Sequence, residues 1–360
     1  MRIRDSLLAV AIAFLATGAR ADAGIGPSFH LDDCVWNATD IIVAKQRGNA
    51  GMVTILETWK DELKAGASIQ VADLPIAPMQ PQVWVGGPPE KTVTGNRMIL
   101  FLVPGSAKEN SDTHTAAQIW HGVASYSGTK VSVAWIEGDA AYAFEQVNNP
   151  GPTELEKISE KASLIQDQTR DILTSQEGLR KAMTIQDAAA RATALESLAK
   201  LSVWECRREA VAALGGCGRA GLPMLHEMLH DGHFDQTGVV NAIGTASGDG
   251  AGDEMKAILT AEAEFWTHAA PGLPVGWWNN VEPGDRREAL RNQYELLSAA
   301  LNQVAKLHYA PALEVIQSLR NLWLSFPQLN DKLGFDPITN ACDAALKAID
   351  APAGNPDAGK

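Results

Sequence analysis

The stretch Arg207-Arg-Glu-Ala-Val-Ala-Ala-Leu-Gly215, followed by Gly221-Leu-Pro-Met-Leu225, decides the fold of the carboxy-terminal half. Alanine and glycine between larger apolar residues let two helices approach closely, and a glycine ends each helix. The tripeptide Ala213-Leu-Gly215 recurs 29 residues later as Ala242-Ile-Gly244. A repeat of this length, made of two short helices, is typical of a helical solenoid.

This stretch resembles the short HEAT repeats of the bilin-lyase type, in which an Arg-x-x-Ala-x-x-Ala-Leu-Gly helix precedes a Leu-Pro-x-Leu helix. The resemblance is most specific between residues 185 and 265, and it implies an interaction surface with no catalytic residues to carry over. The matching positions are Arg207, Ala210, Ala213, Leu214 and Gly215, then Leu222, Pro223 and Leu225. Further helices are predicted at residues 153–174, 185–201, 286–309, 310–326 and 338–349.

The amino-terminal half has short segments rich in β-branched and aromatic residues, separated by Gly, Pro and Asn. Such a pattern indicates strands, and several strands in about 110 residues predict a small barrel or sandwich. A segment rich in Pro and Gly, residues 74–91, is predicted to be a long loop. The predicted strands are residues 40–44, 51–59, 68–71, 97–103, 118–120, 131–135 and 141–144.

Three of these segments resemble netrin-like modules, which share an OB-type barrel with the tissue inhibitors of metalloproteinases. They are Asp40-Ile-Ile-Val-Ala-Lys45, Val53-Thr-Ile-Leu-Glu-Thr-Trp-Lys60 with Leu63-Lys-Ala-Gly66, and Asn96-Arg-Met-Ile-Leu-Phe-Leu102. Those inhibitors chelate the protease metal with a cysteine at the mature amino terminus. Cys34 lies well inside this chain, so protease inhibition by that route is not implied.

The change of pattern falls at Asn148-Asn-Pro-Gly-Pro152, where Pro and Gly favour a linker. The sequence therefore predicts an α+β chain of two domains. Residues 22–150 are expected to form a small antiparallel β-barrel or sandwich of the OB or netrin-like type. Residues 153–350 are expected to form an all-α HEAT-like solenoid, and residues 351–360 a disordered tail.

The amino terminus has the pattern of a secretory signal peptide. Arg2 and Arg4 precede an apolar run over residues 7–16, and Ala19-Arg-Ala21 supplies a cleavage site. The run is too short to cross about 30 Å of hydrocarbon, so we expect cleavage after Ala21 and a secreted or periplasmic protein without stable membrane insertion. The net charge of −13 argues against nucleic acid as a partner.

Export would permit disulfides among the four cysteines, Cys34, Cys206, Cys217 and Cys342. Four cysteines allow three connectivities. A bond between Cys206 and Cys217 is disfavoured, because about ten helical residues separate them by about 15 Å, beyond the reach of roughly 7 Å. The other pairings stay open.

The sequence His226-Glu227-Met-Leu-His230 matches H-E-x-x-H, which on a helix holds zinc with two imidazoles and uses Glu as general base. His233 or Glu254 are candidates for a third ligand. The motif also falls inside the second helix of the HEAT resemblance, where Leu222, Leu225, Met228 and Leu229 form an apolar stripe and place the histidines on its flank. A solenoid helix is the favoured interpretation, with zinc-dependent hydrolysis as the alternative.

Trp277 and Trp278 are adjacent in a segment rich in Gly and Pro, residues 271–280, which is predicted to be a loop. Adjacent side chains point in different directions, so one indole is expected to pack beneath the loop and the other to meet a partner or glycan. The chain is thus predicted to be an exported, non-enzymatic binding or scaffolding protein without a cofactor, holding an unknown protein or peptide partner. Carbohydrate binding through exposed tryptophans is a further alternative.

Overall fold

The computed structural model describes residues 31–47, 51–60, 63–72, 74, 97–104, 119–122, 132–137, 140–145, 155–281, 284–329 and 337–351. Outside these residues lie the predicted signal peptide 1–21, residues 75–91 of the predicted loop, the boundary segment 148–152, and residues 352–360 of the predicted tail. The chain forms two compact units that divide between Arg170 and Asp171. Each unit is described by itself.

The first unit is a short helix followed by a small curled sheet. Seven of its eight strands were predicted from the sequence, and their positions are confirmed. Strand β8 was not foreseen. The elements are α1 (Leu31–Asn37), β1 (Asp40–Arg47), β2 (Met52–Lys60), β3 (Ser68–Val71), β4 (Arg97–Pro104), β5 (Ile119–Gly122), β6 (Ser132–Glu137), β7 (Ala140–Glu145) and β8 (Leu155–Lys161).

The pairings of the first five strands form a ring. Strand β1 pairs with both β2 and β4, β2 pairs with β3, β3 pairs in parallel with β5, and β5 pairs with β4. The outer edge of β4 is shared, because its first half pairs with β6 and its second half with β5. Strands β7 and β8 continue the sheet from β6. All of these pairings except β3 with β5 are antiparallel.

An apolar cluster fills one face of the ring. It consists of Ile42, Ala44, Val53, Ile55, Val71, Leu74, Met98, Leu100 and Leu102. Alternate residues of a strand point to opposite faces, and the intervening Ile41, Val43, Ile99 and Phe101 are buried as well. Both faces of β1 and β4 are therefore covered.

Lys60 links α1 to β2, since its Nζ donates to the carbonyl oxygens of Val35 at 3.2 Å and Ala38 at 2.6 Å.

The predicted helix at residues 153–174 is wrong in its first third. Residues Leu155–Lys161 form β8, in which Leu155 pairs with Phe144 of β7, and the helix begins only at Ala162. The competing influence is the open edge of β7, whose backbone groups gain partners by taking up another strand. Lys and Glu, which fill most of β8, suit the last strand of a sheet because they discourage further pairing.

The rest of the chain is helical, and the helices predicted after residue 185 are confirmed with small shifts of their ends. None of the described helices is long and apolar enough to cross a bilayer. They are α2 (Ala162–Thr184), α3 (Ala188–Ala199), α4 (Trp204–Gly215), α5 (Leu222–Met228), α6 (Gln236–Ser247), α7 (Ala251–Ala269), α8 (Trp277–Asn280), α9 (Asp285–Leu307), α10 (Leu313–Ser325) and α11 (Pro337–Asp350). A 3₁₀ turn, Gly248–Gly250, connects α6 to α7.

Helices α4, α6, α9 and α11 pack one against the next, and α5, α7 and α10 alternate with them along the chain. Helices α4 and α6 run in the same direction. At their starts, Arg207 stacks on Phe234. At the other end Gly215 approaches Ala242 so closely that a Cβ there would lie 2.9 Å from the Ala242 carbonyl oxygen. A side chain at residue 215 would force the two helices apart.

Two arginines make the same hydrogen bonds in successive helices. Arg191 and Arg207 are each the fourth residue of their helix, α3 and α4. Each guanidinium donates back to a carbonyl in the preceding turn and forward to a carbonyl in a later turn. The acceptors are Ile185 (3.2 Å) and Gly216 (3.4 Å) for Arg191, and Leu201 (2.9 Å) and His233 (2.6 Å) for Arg207.

All four cysteines are free and buried. The expectation that Cys206 and Cys217 are not bonded to one another agrees with the structure. The Cys206 thiol lies near the carbonyl oxygen of Ser175 at 3.8 Å. Burial, with a smaller contribution from Glu209, raises the pKa of Cys206 to about 11. This cysteine therefore packs as an uncharged thiol at neutral pH.

Candidate functional site

The two histidines of the H-E-x-x-H sequence do not share a helical face. Helix α5 ends at Met228, Leu229 is extended, and His230 adopts a left-handed conformation with φ of 68°. His226 Nε2 lies 3.3 Å from a carboxylate oxygen of Glu254, whereas His230 Nδ1 lies 2.9 Å from the side-chain amide of Gln293. Within the described part of the chain, no three His, Cys, Asp or Glu side chains are grouped to hold a metal ion.

We expect Leu225→Ala to lower the free energy of unfolding by about 3 kcal/mol, because Leu225 is completely buried and its removal leaves a cavity. His226→Ala on the same helix is the matched control, and it should change stability by no more than about 0.5 kcal/mol. Urea denaturation of both variants gives the comparison. A larger loss for the histidine, or melting that responds to added zinc, would favour the metal-site interpretation.

The segment around Trp277 is not the loop that the sequence predicted. It forms a 3₁₀ turn, Ala270–Gly272, and then α8, which begins after Gly276 in a left-handed conformation. Trp277 is 1% exposed and lies against Trp266, with ring centroids 5.8 Å apart. Trp277 is thus a buried member of the pair. The side chain of Trp278 lies outside the described part of the structure, and its exposure stays a prediction.

Trp277 belongs to an aromatic cluster that also encloses a carboxyl group. Trp266 is the centre of the cluster, with Trp323 at 5.2 Å and Trp277 at 5.8 Å. Glu262, one helical turn before Trp266, is 1% exposed and accepts a hydrogen bond from the Trp266 indole at 3.1 Å. Burial raises the pKa of Glu262 to about 8, and the bond from Trp266 offsets this only in part.

A cleft with a different character opens between the starts of α4 and α6. Its most exposed apolar side chain is Trp204, at 46%. The lining residues are Trp204, Arg207, Arg208, Phe234, Asp235 and Gly238, with Val211 on the floor. Indole, guanidinium and carboxylate groups therefore surround one concave surface.

The polar groups of the cleft are held in place by their own contacts. The Arg207 guanidinium lies 5.8 Å above the Phe234 ring and is fastened at both ends by carbonyl oxygens. Arg208 Nη2 lies 2.6 Å from the carboxylate of the buried Glu205. The Asp235 side chain caps α6 by accepting from the backbone N–H of Thr237 at 3.1 Å. Little conformational entropy remains for these groups to lose when a ligand binds.

Sequence reasoning did not single out Trp204 or Glu262. Trp204 is the first residue of α4, and a tryptophan in the first turn of the helix that carries Arg207 was the available signal. For Glu262 the signal was its spacing of four residues from Trp266, which places both side chains on one helix face. Both signals are informative only when it is known which helix face is covered by the neighbouring helices.

Searches of family models, of curated proteins and of solved structures returned no match to this chain.

Proposed function

We propose that this chain is an exported, non-enzymatic binding protein that holds a protein or peptide partner on the cleft between α4 and α6. In this proposal the second unit is a HEAT-like solenoid and the first an OB-type module. Export rests on the signal-peptide pattern of residues 1–21. Sequencing the amino terminus of the protein recovered from its host tests cleavage after Ala21.

The solenoid proposal is supported by the repeated contacts of the helical unit. Arg191 and Arg207 occupy the same helix position and bond the turns before and after them in the same way. Helices α4, α6, α9 and α11 pack one against the next in series. Stacked units that contact mainly their neighbours are the defining property of helical-repeat proteins, whose extended surfaces bind other proteins.

The OB-type proposal is supported by the ring of pairings in the first unit. A five-stranded Greek-key barrel of this kind closes through the first strand, as β1 does here by pairing with β2 and β4. The residues that resemble netrin-like modules lie in β1, β2 and β4 and the turn after β2.

The exposed indole of Trp204 beside two ordered guanidinium groups is the observation that carries the binding proposal. Trp and Arg are the residues most enriched among those that dominate the energy of protein interfaces. The indole is nearly half exposed at the edge of a concave surface, a position from which it can contact a partner.

We expect Trp204→Ala to weaken partner binding by about 2 kcal/mol, or roughly 30-fold, with little effect on folding. Crosslinking in the host, followed by mass spectrometry, measures which partners depend on Trp204. Leu324→Ala is the control, because Leu324 is 55% exposed and lies on α10. Equal recovery of partners with Trp204→Ala, or equal loss with Leu324→Ala, would contradict the assignment of the cleft.

A further inference from the structure

A chain of three polar side chains runs from the buried aromatic cluster to the surface. Glu262 lies on α7, Gln293 on α9, and His230 in the turn between α5 and α6. One end of the Gln293 amide lies 2.5 Å from Glu262 Oε1. The other end lies 2.9 Å from His230 Nδ1. Gln293 therefore bridges a fully buried carboxyl group and an exposed imidazole.

The same heavy-atom positions accommodate two arrangements of protons. If the Gln293 oxygen faces Glu262, two oxygens stand 2.5 Å apart, and only a carboxylic acid proton between them makes that contact favourable. The amide nitrogen then donates to His230 Nδ1. The imidazole must offer a lone pair there, so it is neutral and its proton is on Nε2.

In the second arrangement the amide is reversed. Its nitrogen then donates to the ionised Glu262, at 2.5 Å from Oε1 and 3.2 Å from Oε2, and its oxygen accepts from His230 Nδ1 at 2.9 Å. Nδ1 must now carry a proton. Each arrangement satisfies both ends of the amide. Because Glu262 Oε2 accepts from the Trp266 indole, the acid proton is assigned to Oε1, so an amide in the wrong orientation places two donors or two acceptors face to face.

We propose that Gln293 is a proton-coupled relay, in which loss of the Glu262 proton reverses the amide and moves the proton of the neutral His230 imidazole from Nε2 to Nδ1. Only bonds to hydrogen change: the Glu262 O–H and His230 Nε2–H bonds break, and an Nδ1–H bond forms with a proton from solvent. The carboxyl proton leaves to solvent, the amide rotates, and the imidazole exchanges one ring proton for another.

The turn that carries His230 is held in place, so the response is confined to the amide and the imidazole. The backbone N–H of His230 donates to Gln236 Oε1 at 3.3 Å, and the Gln236 amide donates to the carbonyl oxygen of Asp231 at 2.8 Å. Gln236 is completely buried. His230 has positive φ, a conformation in which His is several-fold enriched.

The raised pKa of Glu262 has an identifiable cause. Burial raises its pKa, the Trp266 hydrogen bond lowers it, and no charged group contributes among the described residues. The charged and titratable groups on the surrounding elements include His226 on α5, Asp231 and His233 in the turn, Asp235 before α6, Glu254 and Glu264 on α7, and Arg291, Tyr294 and Glu295 on α9.

The consequence appears at the surface. When Glu262 is protonated, His230 Nε2 is a hydrogen-bond donor, and when Glu262 is ionised, Nε2 is an acceptor. A molecule that meets this imidazole therefore finds opposite hydrogen-bonding chemistry on the two sides of the titration. The relay stands independently of the partner proposed for the Trp204 cleft.

Imidazole ¹⁵N–¹H correlation spectra of the full chain between about pH 7 and pH 10 test the relay, since they distinguish a proton on Nε2 from one on Nδ1. We expect the His230 tautomer to change from Nε2–H to Nδ1–H. Its midpoint should coincide with that of the Glu262 carboxyl carbon in the same sample. A tautomer that stays constant, or that changes with a separate midpoint, overturns the proposal.

Two variants locate the coupling. Glu262→Gln presents a permanent donor to Gln293, so His230 should keep Nε2–H throughout the titration. Gln293→Leu removes the bridge, so the Glu262 carboxyl should still titrate while the His230 tautomer no longer follows it. Continued switching in either variant overturns the relay.

Glu264→Gln, an exposed change two residues away on α7, is the matched control and should switch as the native chain does. The His233 signal is the internal reference. The native chain alone decides the question if a variant does not fold.

Discussion

Replacing Trp266 by alanine is expected to lower the free energy of unfolding by about 4–5 kcal/mol, at the upper end of the range for a buried tryptophan. Trp266 is completely buried and contacts Trp277 and Trp323, so its removal empties the centre of the aromatic cluster. It also takes away the indole donor to Glu262, which leaves part of a buried carboxyl group unsatisfied. Chemical denaturation at about pH 4, below the ordinary carboxyl pKa of 4.5, measures the cost with Glu262 protonated in both the folded and the unfolded chain.

The neighbouring Phe265→Ala is the control for this prediction. Phe265 touches the edge of Trp266 with centroids 5.3 Å apart, but it is 36% exposed. Its removal should cost about 1 kcal/mol or less, because a partly exposed ring loses little burial and leaves no closed cavity. Trp266→Phe should fall between the two, since it keeps an aromatic ring and loses the indole N–H. Equal costs for Phe265 and Trp266 would show that the cluster does not stabilise the fold.

The strands of the first unit could be predicted because they follow local rules. Segments such as Ser68–Val71 and Arg97–Pro104 are rich in β-branched or apolar residues and are bounded by Gly, Pro or Asn. Strand β8 could not be predicted in this way. Its sequence, Leu-Glu-Lys-Ile-Ser-Glu-Lys, has a charge pattern equally suited to an exposed helix, and it becomes a strand because β7 offers an edge.

The helices of the second unit were predictable for a similar reason, whereas the candidate sites were not. The spacing of Leu225 and Met228 gave the buried face of α5, and both are buried. The spacing of His226 and His230 implied a shared helix face, yet α5 stops at Met228, before the second histidine. Two residues at helical spacing share a helix face only if the helix includes both of them. Trp204 and Glu262 could not be predicted as site residues, because the largely apolar indole is partly exposed and the polar carboxyl group is buried. Contacts with α6 and α9 decide these exposures.

Glu262→Gln is expected to stabilise the protein at alkaline pH and to have little effect at acidic pH. The folded-state pKa of Glu262 is about 8, above the ordinary value of 4.5. Below pH 4.5 the carboxyl group is protonated in both states, so the glutamine matches it closely. As the pH rises from there to about 8, the unfolded chain gives up a proton that the folded chain retains, and native stability falls. Above about pH 8 the loss is complete and stays constant.

The size of the effect follows from the displacement of the pKa. At about 1.4 kcal/mol per pKa unit, the native chain loses about 5 kcal/mol of stability across this window relative to Glu262→Gln. Comparing urea denaturation of the two proteins at about pH 5, 7 and 9 gives the difference directly, because the other titrating groups cancel between them. Glu264→Gln is the control: Glu264 lies on the same helix and is exposed, so its effect should be small at every pH. A difference between Glu262→Gln and the native chain that does not grow with pH would mean that Glu262 is already ionised in the fold at neutral pH, with its charge compensated by the amide of Gln293 and the indole of Trp266.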